Sequence, residues 1–178
     1  MRNGIQSNFP APQSADEYGL VAITDHMSPN LLLDAYYHGI FPWSEGPVRW
    51  YSPDPRAIFL QDRIKIPKKL PKIIRKNNFR ITFDTAFREV ITACAELPRD
   101  GSWITDAFIA NYTTLHEMGY AHSAEVWQDD TLVGGLYGVQ IGGFYAGESM
   151  FHLVSNASKV AFAALITQLD LVGIKLID

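Results

Sequence analysis

The segment "AHSAEVWQDDTLVGGLYGVQIGGFYAGESMFH" (121–152) holds three runs rich in Val, Tyr, Phe and Trp, parted by Asp129-Asp130 and by Gly142-Gly143. Runs of this composition with two-residue turns between them predict three consecutive antiparallel strands. The third run carries one carboxylate, Glu148, with no Lys or Arg within ten residues of it in sequence. Such a Glu either faces water from a strand end or lines a pocket. In a pocket it must meet a cation or hydrogen-bond donors, because burying a bare carboxylate costs several kcal/mol or drives it to the neutral form.

The neighbouring segments alternate between helix and strand. Downstream, Ser155 or Asn156 caps a helix over "ASKVAFAALITQLDLV" (157–172), Gly173 stops it, and "IKLID" (174–178) opens a last strand. Upstream, "FRITF" (79–83) alternates as a strand, and Asp84 is placed to cap a helix. In that helix Phe87, Val90, Ile91 and Cys94 share a face, and it ends near Pro98. Thr105 caps a second helix, "DAFIANYTTLHEM", stopped by Gly119. Ser28 and Pro29 start another over "NLLLDAYYH", with Gly39 as its stop. Between them, residues 39–60 are so rich in Pro, Gly and aromatics that a packed irregular loop is expected, ending in a short strand at "AIFL". This order predicts an α+β fold with a mostly antiparallel sheet flanked by helices, organised as a small N-terminal lobe (1–62) and a main domain (63–178).

The composition, 47% hydrophobic and 19% charged over 178 residues, is that of a globular protein able to bury a core. No run is long and apolar enough for a membrane span, the N-terminus lacks an apolar signal core, and the single Cys94 excludes an internal disulfide. A cytoplasmic location is expected. Net charge is −4, yet eight of the fifteen basic residues lie between Arg63 and Arg80 with no acid among them. That segment is either a solvated face or a patch that attracts phosphate.

Most reactive chemistries find no support. His116 and His122 are six apart across Gly119, and His26, His38 and His152 show no ligand spacing, so no metal is expected. Cys94 reads as a core residue, and Ser149 lacks a nucleophile elbow. Neither "GGLYG" nor "GGFYAG" opens a helix, so neither is a nucleotide loop. Gly134, Gly135, Gly138, Gly142, Gly143 and Gly147 gather on two adjoining strands, where close approach of a ligand is expected.

Taken in order, "GIFPW" (39–43), "WYSPDPRAI" (50–58), "GSWIT" (101–105), "HSAEVW" (122–127), "LVGGLYGV" (132–139), "GESMF" (147–151), "NASK" (156–159) and "KLID" (175–178) resemble the leucyl/phenylalanyl-tRNA–protein transferases. The resemblance runs from about residue 18 to the end. It implies an acetyltransferase-like (GNAT) catalytic domain behind a small N-terminal domain, needing no cofactor and acting as a monomer. It also implies an activity: moving Leu, Phe or Met from aminoacyl-tRNA to the N-terminal Arg or Lys of a protein, which marks that protein for degradation by the N-end rule.

Residue by residue, the resemblance implies catalytic roles for Glu148, which places the reacting amines, and for Asp178. It implies an aminoacyl pocket of Leu136, Tyr145, Gly147, Phe162 and Ile177, and a stacking site for the tRNA's 3′-adenosine at Trp43 and Trp103. Lys65, Lys68, Lys69, Lys72, Arg75 and Lys76 fall where the tRNA backbone is expected. The family's motif continues from the Asp through Cys-Gln and several dozen more residues, whereas this chain stops at Asp178. A truncated or naturally short member is therefore expected, with Asp178 frayed at the terminus. Two other functions remain open from sequence. One is an acyl-CoA-dependent N-acyltransferase, for which "HLVSNASK" lacks the glycine-rich pyrophosphate loop. The other is a catalytically dead tRNA- or degron-binding module.

Overall fold

The computed structural model describes residues 7–44, 46–97 and 103–178. Gly101 and Ser102 of the "GSWIT" motif, and the Pro98 expected to end a helix, lie outside the described residues. A three-stranded antiparallel sheet is built from β1 (Leu20–Thr24), β2 (Phe41–Ser44) and β3 (Val48–Tyr51), in the order β1-β3-β2. Residues 39–60 are thus not simply a loop. The prolines shorten the strands without abolishing them, and Pro42 sits on edge strand β2, where a missing N–H costs little. Trp50 is fully buried beneath this sheet and donates its indole N–H to Thr24 Oγ1 at 2.9 Å.

Helix α1 (Pro29–Tyr37) starts as expected, with the Ser28 side chain accepting from the Leu31 N–H at 3.3 Å, and it gives way to Gly39 at φ +74°. Both features are local, which is why the sequence displays them.

The larger sheet has six strands, ordered β4-β9-β8-β7-β6-β5. Strands β5 (Phe79–Phe83), β6 (Ala121–Gln128), β7 (Thr131–Ile141) and β8 (Phe144–His152) are antiparallel neighbours. The chain then crosses through α5 (Ala157–Leu171) to β9 (Leu176–Ile177), which lies parallel to β8 and antiparallel to β4 (Phe59–Leu60). Helices α3 (Phe87–Ala95) and α4 (Asp106–Glu117) cover one side, and α5 packs on the other. This is the predicted α+β layout, a mostly antiparallel sheet flanked by helices. A short helix, α2 (Leu70–Lys76), lies against the α5 side through Leu70, Ile73 and Ile74.

Three local expectations change. Asp84 does not cap α3: at φ +57° it turns back, accepting from the Ser123 N–H and pairing with His122 Nδ1, and α3 has no side-chain cap. Asn156 holds the position before α5 but in a left-handed conformation, φ +73°, without a side-chain bond to the helix. Asp178 does not fray. Its N–H donates to Tyr145 O and its carbonyl accepts from the Gly147 N–H, each at 2.9 Å, while its carboxylate pairs with Arg56.

The glycine-rich strands also differ from expectation. A Cβ at Gly134 would meet Ala157 Cβ at 2.6 Å, and one at Gly138 would meet Ala146 O at 2.2 Å, so these glycines admit protein neighbours rather than a ligand. Of the six, Gly147 alone lines the two cavities of the candidate site.

Candidate active site

The unusual position of Glu148 has a structural origin. Tyr137 pairs with Ser149, and the next residue, Gly138, pairs with Gly147, so Glu148 is the extra residue of a β-bulge. The packing shows the same slip. Ala146 and Phe151 both enter the core beneath α3 and α4, although five residues apart, a spacing that strict alternation would place on opposite faces. The bulge restores them to one face and frees Glu148 from cross-strand pairing. Its only sequence trace is the pair Gly138 and Gly147.

Glu148 turns toward two tyrosines. Tyr36 of α1 donates to Oε1, Tyr112 of α4 approaches Oε2 at 3.4 Å, and the two hydroxyls lie 2.6 Å apart. Burial pushes the carboxyl up from its ordinary 4.5 to about 7; the two hydroxyls oppose this, nearby Asp178 adds to it and Arg56 draws it down. Burial, reinforced by Glu148, holds both tyrosines well above the usual range for a phenol, so they act as neutral donors. The partners that the half-buried Glu148 requires are therefore hydroxyls from two distant helices. Tyr36 and Tyr112 are absent from the sequence-derived site, although each sits on the buried face of its helix, where a phenol needs a partner.

Two cavities meet at Gly147, Glu148 and Asp178. The first, about 350 Å³, is walled mainly by apolar side chains. All five expected pocket residues, Leu136, Tyr145, Gly147, Phe162 and Ile177, line it, together with Phe59, Met150 and Leu165, which the sequence reading missed. Leu165 lies one turn beyond Phe162 on α5 and could have been inferred from that spacing. Phe59 arrives only because β4 pairs it opposite Ile177, a long-range contact without a local signal.

The second cavity, about 410 Å³, is walled by Phe41, Trp43, Trp103, Pro42, Pro53 and Pro55. Trp43 and Trp103 stack with centroids 6.2 Å apart and planes 28° from parallel. Trp43 is 58% exposed, whereas Trp103 leans edge-on against Phe108 at 5.3 Å. At this spacing the rings touch each other, so a flat ligand stacks on the open face of Trp43 or parts the pair. Arg56 also borders this cavity, its guanidinium 4.8 Å above the Phe41 ring and paired with Asp178.

Lys65, Lys68, Lys69, Lys72, Arg75 and Lys76 are all exposed on α2 and the segment before it, and among the described residues none of them takes part in an ion pair. The apolar side of α2 faces inward, which turns its cations to solvent. No group of three or more metal-ligating side chains occurs among the described residues, and no helix there is long and apolar enough to cross a membrane. Chemically, the arrangement combines an apolar socket, an aromatic shelf and, where they join, a carboxyl poised near neutrality.

Comparison with known proteins gives two family matches: "Leucyl/phenylalanyl-tRNA protein transferase" over residues 58–178, and the N-terminal domain of the same family over residues 25–54. Curated relatives named leucyl/phenylalanyl-tRNA–protein transferase include one from Syntrophotalea carbinolica, 48% identical, with 96% of this chain and 76% of that protein covered. Another, from Shewanella halifaxensis, is 47% identical over 99% of this chain and 77% of that protein. A third, from Myxococcus xanthus, is 46% identical over 96% and 75%. Among solved structures, L-PGS from Bacillus licheniformis is similar at a TM-score of 0.47 and 12% identity, covering 88% of this chain and 51% of that one. The paia N-acetyltransferase of Thermoplasma acidophilum, in complex with coenzyme A, is similar at 0.36 and 12%, covering 67% and 76%.

Proposed function

The chain belongs to the leucyl/phenylalanyl-tRNA–protein transferase family, and from that membership we propose that Glu148 handles the amines as Leu or Phe passes from charged tRNA to a protein's N-terminal Arg or Lys. The observation that carries this reading is the place of Glu148 at the junction of the apolar and the aromatic cavities, with its proton held near neutral pH.

In the reaction the acceptor's α-amine attacks the ester carbonyl carbon of the aminoacyl group. A C–N bond forms, the bond to the tRNA 3′-oxygen breaks, and the proton lost by the amine passes to that oxygen. Glu148 suits the intermediate stage of this proton's path. An α-ammonium titrates at about 7.7–8.0, close to the value near 7 of Glu148, so transfer between them is nearly balanced and reversible. Tyr36 and Tyr112 hold the carboxylate that results. Asp178, beside the same junction, offers a second anionic contact for the amines.

The apolar cavity, with Leu136, Tyr145, Phe162 and Ile177 in its wall, takes the Leu, Phe or Met side chain. Such a pocket separates side chains by about 1–3 kcal/mol per methylene, so selectivity rests on shape. Trp43 and Trp103 take the terminal adenine by stacking, and the cations from Lys65 to Lys76 contact tRNA phosphates, which provides affinity without base reading. Residues 1–62 act as the lobe that supplies Phe41 and Trp43 of the aromatic wall, residues 63–178 as the catalytic domain, and the reaction takes place in the cytoplasm.

The test is transfer of labelled amino acid from Leu-, Phe-, Met- and Val-tRNA to peptides beginning with Arg, Lys or Glu. Leu, Phe and Met should pass to the Arg and Lys peptides and not to an N-acetylated control. Transfer to the blocked peptide, or equal use of Val-tRNA, would overturn the reading.

A further inference from the structure

Arg56 holds an unusual position. It lies between β3 and β4 in the stretch that joins the two sheets, and its guanidinium has three anchors on different parts of the molecule. One nitrogen donates to the Gly39 carbonyl at 2.5 Å, the other pairs with the Asp178 carboxylate, and the plane of the group rests over Phe41. Phe41 in turn leans on Trp43, 6.0 Å centroid to centroid, and Trp43 stacks on Trp103. Both members of the ion pair are mostly buried, at 21% and 17% side-chain exposure.

We infer that Arg56 is a positioning residue for the transfer reaction: it fixes the Asp178 carboxylate beside Glu148 and ties it to the aromatic wall. The inference rests on the function proposed above for its catalytic consequence, but its structural part stands by itself. Only a planar group with several donors can meet a carbonyl, a carboxylate and a ring face together; a Lys ammonium can pair with Asp178 but cannot keep all three anchors. Arg56 thus links the shelf of Phe41, Trp43 and Trp103 to the end of β9.

The charge arrangement gives a direct readout. The groups bearing on Glu148 are Tyr36 from α1, Tyr112 from α4, Asp178 after β9, and Arg56, the one cation of this set. Removing Arg56 therefore raises the titration midpoint of Glu148, and removing the Asp178 charge lowers it.

Both effects are measurable without substrate by carbon-13 NMR of labelled Glu side chains in the free protein, comparing wild type with Arg56→Gln, Arg56→Lys and Asp178→Asn. The midpoint of Glu148 is expected to rise in Arg56→Gln, stay near wild type in Arg56→Lys and fall in Asp178→Asn. In parallel, Arg56→Gln is expected to lower kcat about 10²-fold, the cost of misplacing a reacting group by about 1 Å, with KM for charged tRNA changed far less. Arg56→Lys should recover about tenfold of that loss. An unmoved Glu148 midpoint in Arg56→Gln, or a loss of activity matching the loss of folded protein, overturns the inference and leaves Arg56 a structural link. Should Arg56→Gln fail to fold, Arg56→Lys and Asp178→Asn still decide: an unmoved midpoint in Asp178→Asn overturns it. Midpoint shifts in the variants together with no transfer by the wild-type chain uphold the arrangement and overturn the transferase reading instead.

Discussion

Glu148→Gln separates the energetics of the site from its chemistry. In the folded protein the carboxyl titrates at about 7, against an ordinary 4.5. The folded state therefore binds this proton more tightly than the unfolded chain. The stability tied to that proton is complete below about 4.5 and is lost as pH rises through 7. The displacement corresponds to about 3 kcal/mol in full, of which about 2–3 kcal/mol falls between pH 5 and pH 8. Gln has nearly the same shape, still accepts from Tyr36, and does not titrate. The variant should thus match the wild type near pH 4.5 and gain on it steadily toward pH 8, where its melting temperature should lie roughly 5–10 °C higher. Thermal or urea unfolding of both proteins at pH 5, 6, 7 and 8 measures this, and taking the difference cancels the other titrating groups. Transfer should meanwhile fall by about 10²-fold or more, as for loss of a proton-transfer group. A stability difference that stays flat across that range would refute the burial argument, whatever happened to activity.

The geometry sets three further outcomes. Phe162→Ala opens the wall of the apolar cavity and should narrow the preference for Leu-tRNA over Val-tRNA, set at about 10–200-fold in the wild type, as read from kcat/KM on the two donors. Trp43→Ala, at a largely exposed ring, should weaken charged-tRNA binding by about 1–3 kcal/mol while leaving the melting temperature nearly unchanged. Trp103→Ala should lower both, because that ring also packs on Phe108. Replacing Lys68 and Lys72 by Ala should lower the slope of log affinity for tRNA against log salt by about 0.7–0.9 for each phosphate no longer neutralised, a change that binding titrations at several KCl concentrations would detect.

The sequence was most legible where the cause is local. The strands of residues 121–152, the Ser28 and Thr105 caps and the glycine stops follow from short-range sterics and hydrogen bonding, and the fold shows them in place. It misled where a distant partner outweighs a local preference. Asp84 reads as a helix cap, yet His122 and the Ser123 N–H claim its carboxylate across β6. Pro42 reads as a strand breaker, yet an edge strand accepts it. The wall of the apolar cavity was legible in part, since Leu136, Tyr145, Phe162 and Ile177 sit in recognisable motifs, whereas Phe59 depends on a pairing between chain segments more than a hundred residues apart. Glu148 itself was visible as an anomaly, but its explanation was not. The bulge, the tyrosines and the Arg56–Asp178 pair come from five separated segments, and only the folded chain brings them together.

The most direct test of Glu148 as the amine-handling group is single-turnover transfer from Leu-tRNA to an Arg-initiated peptide across pH 5.5–9, for wild type and Glu148→Gln. Wild type should show an acid limb near 7 beneath the titration of the peptide's own amine, and Glu148→Gln should lose that limb along with about 10²-fold or more of the rate. A variant that keeps both the limb and a rate within a few-fold of wild type would contradict the account.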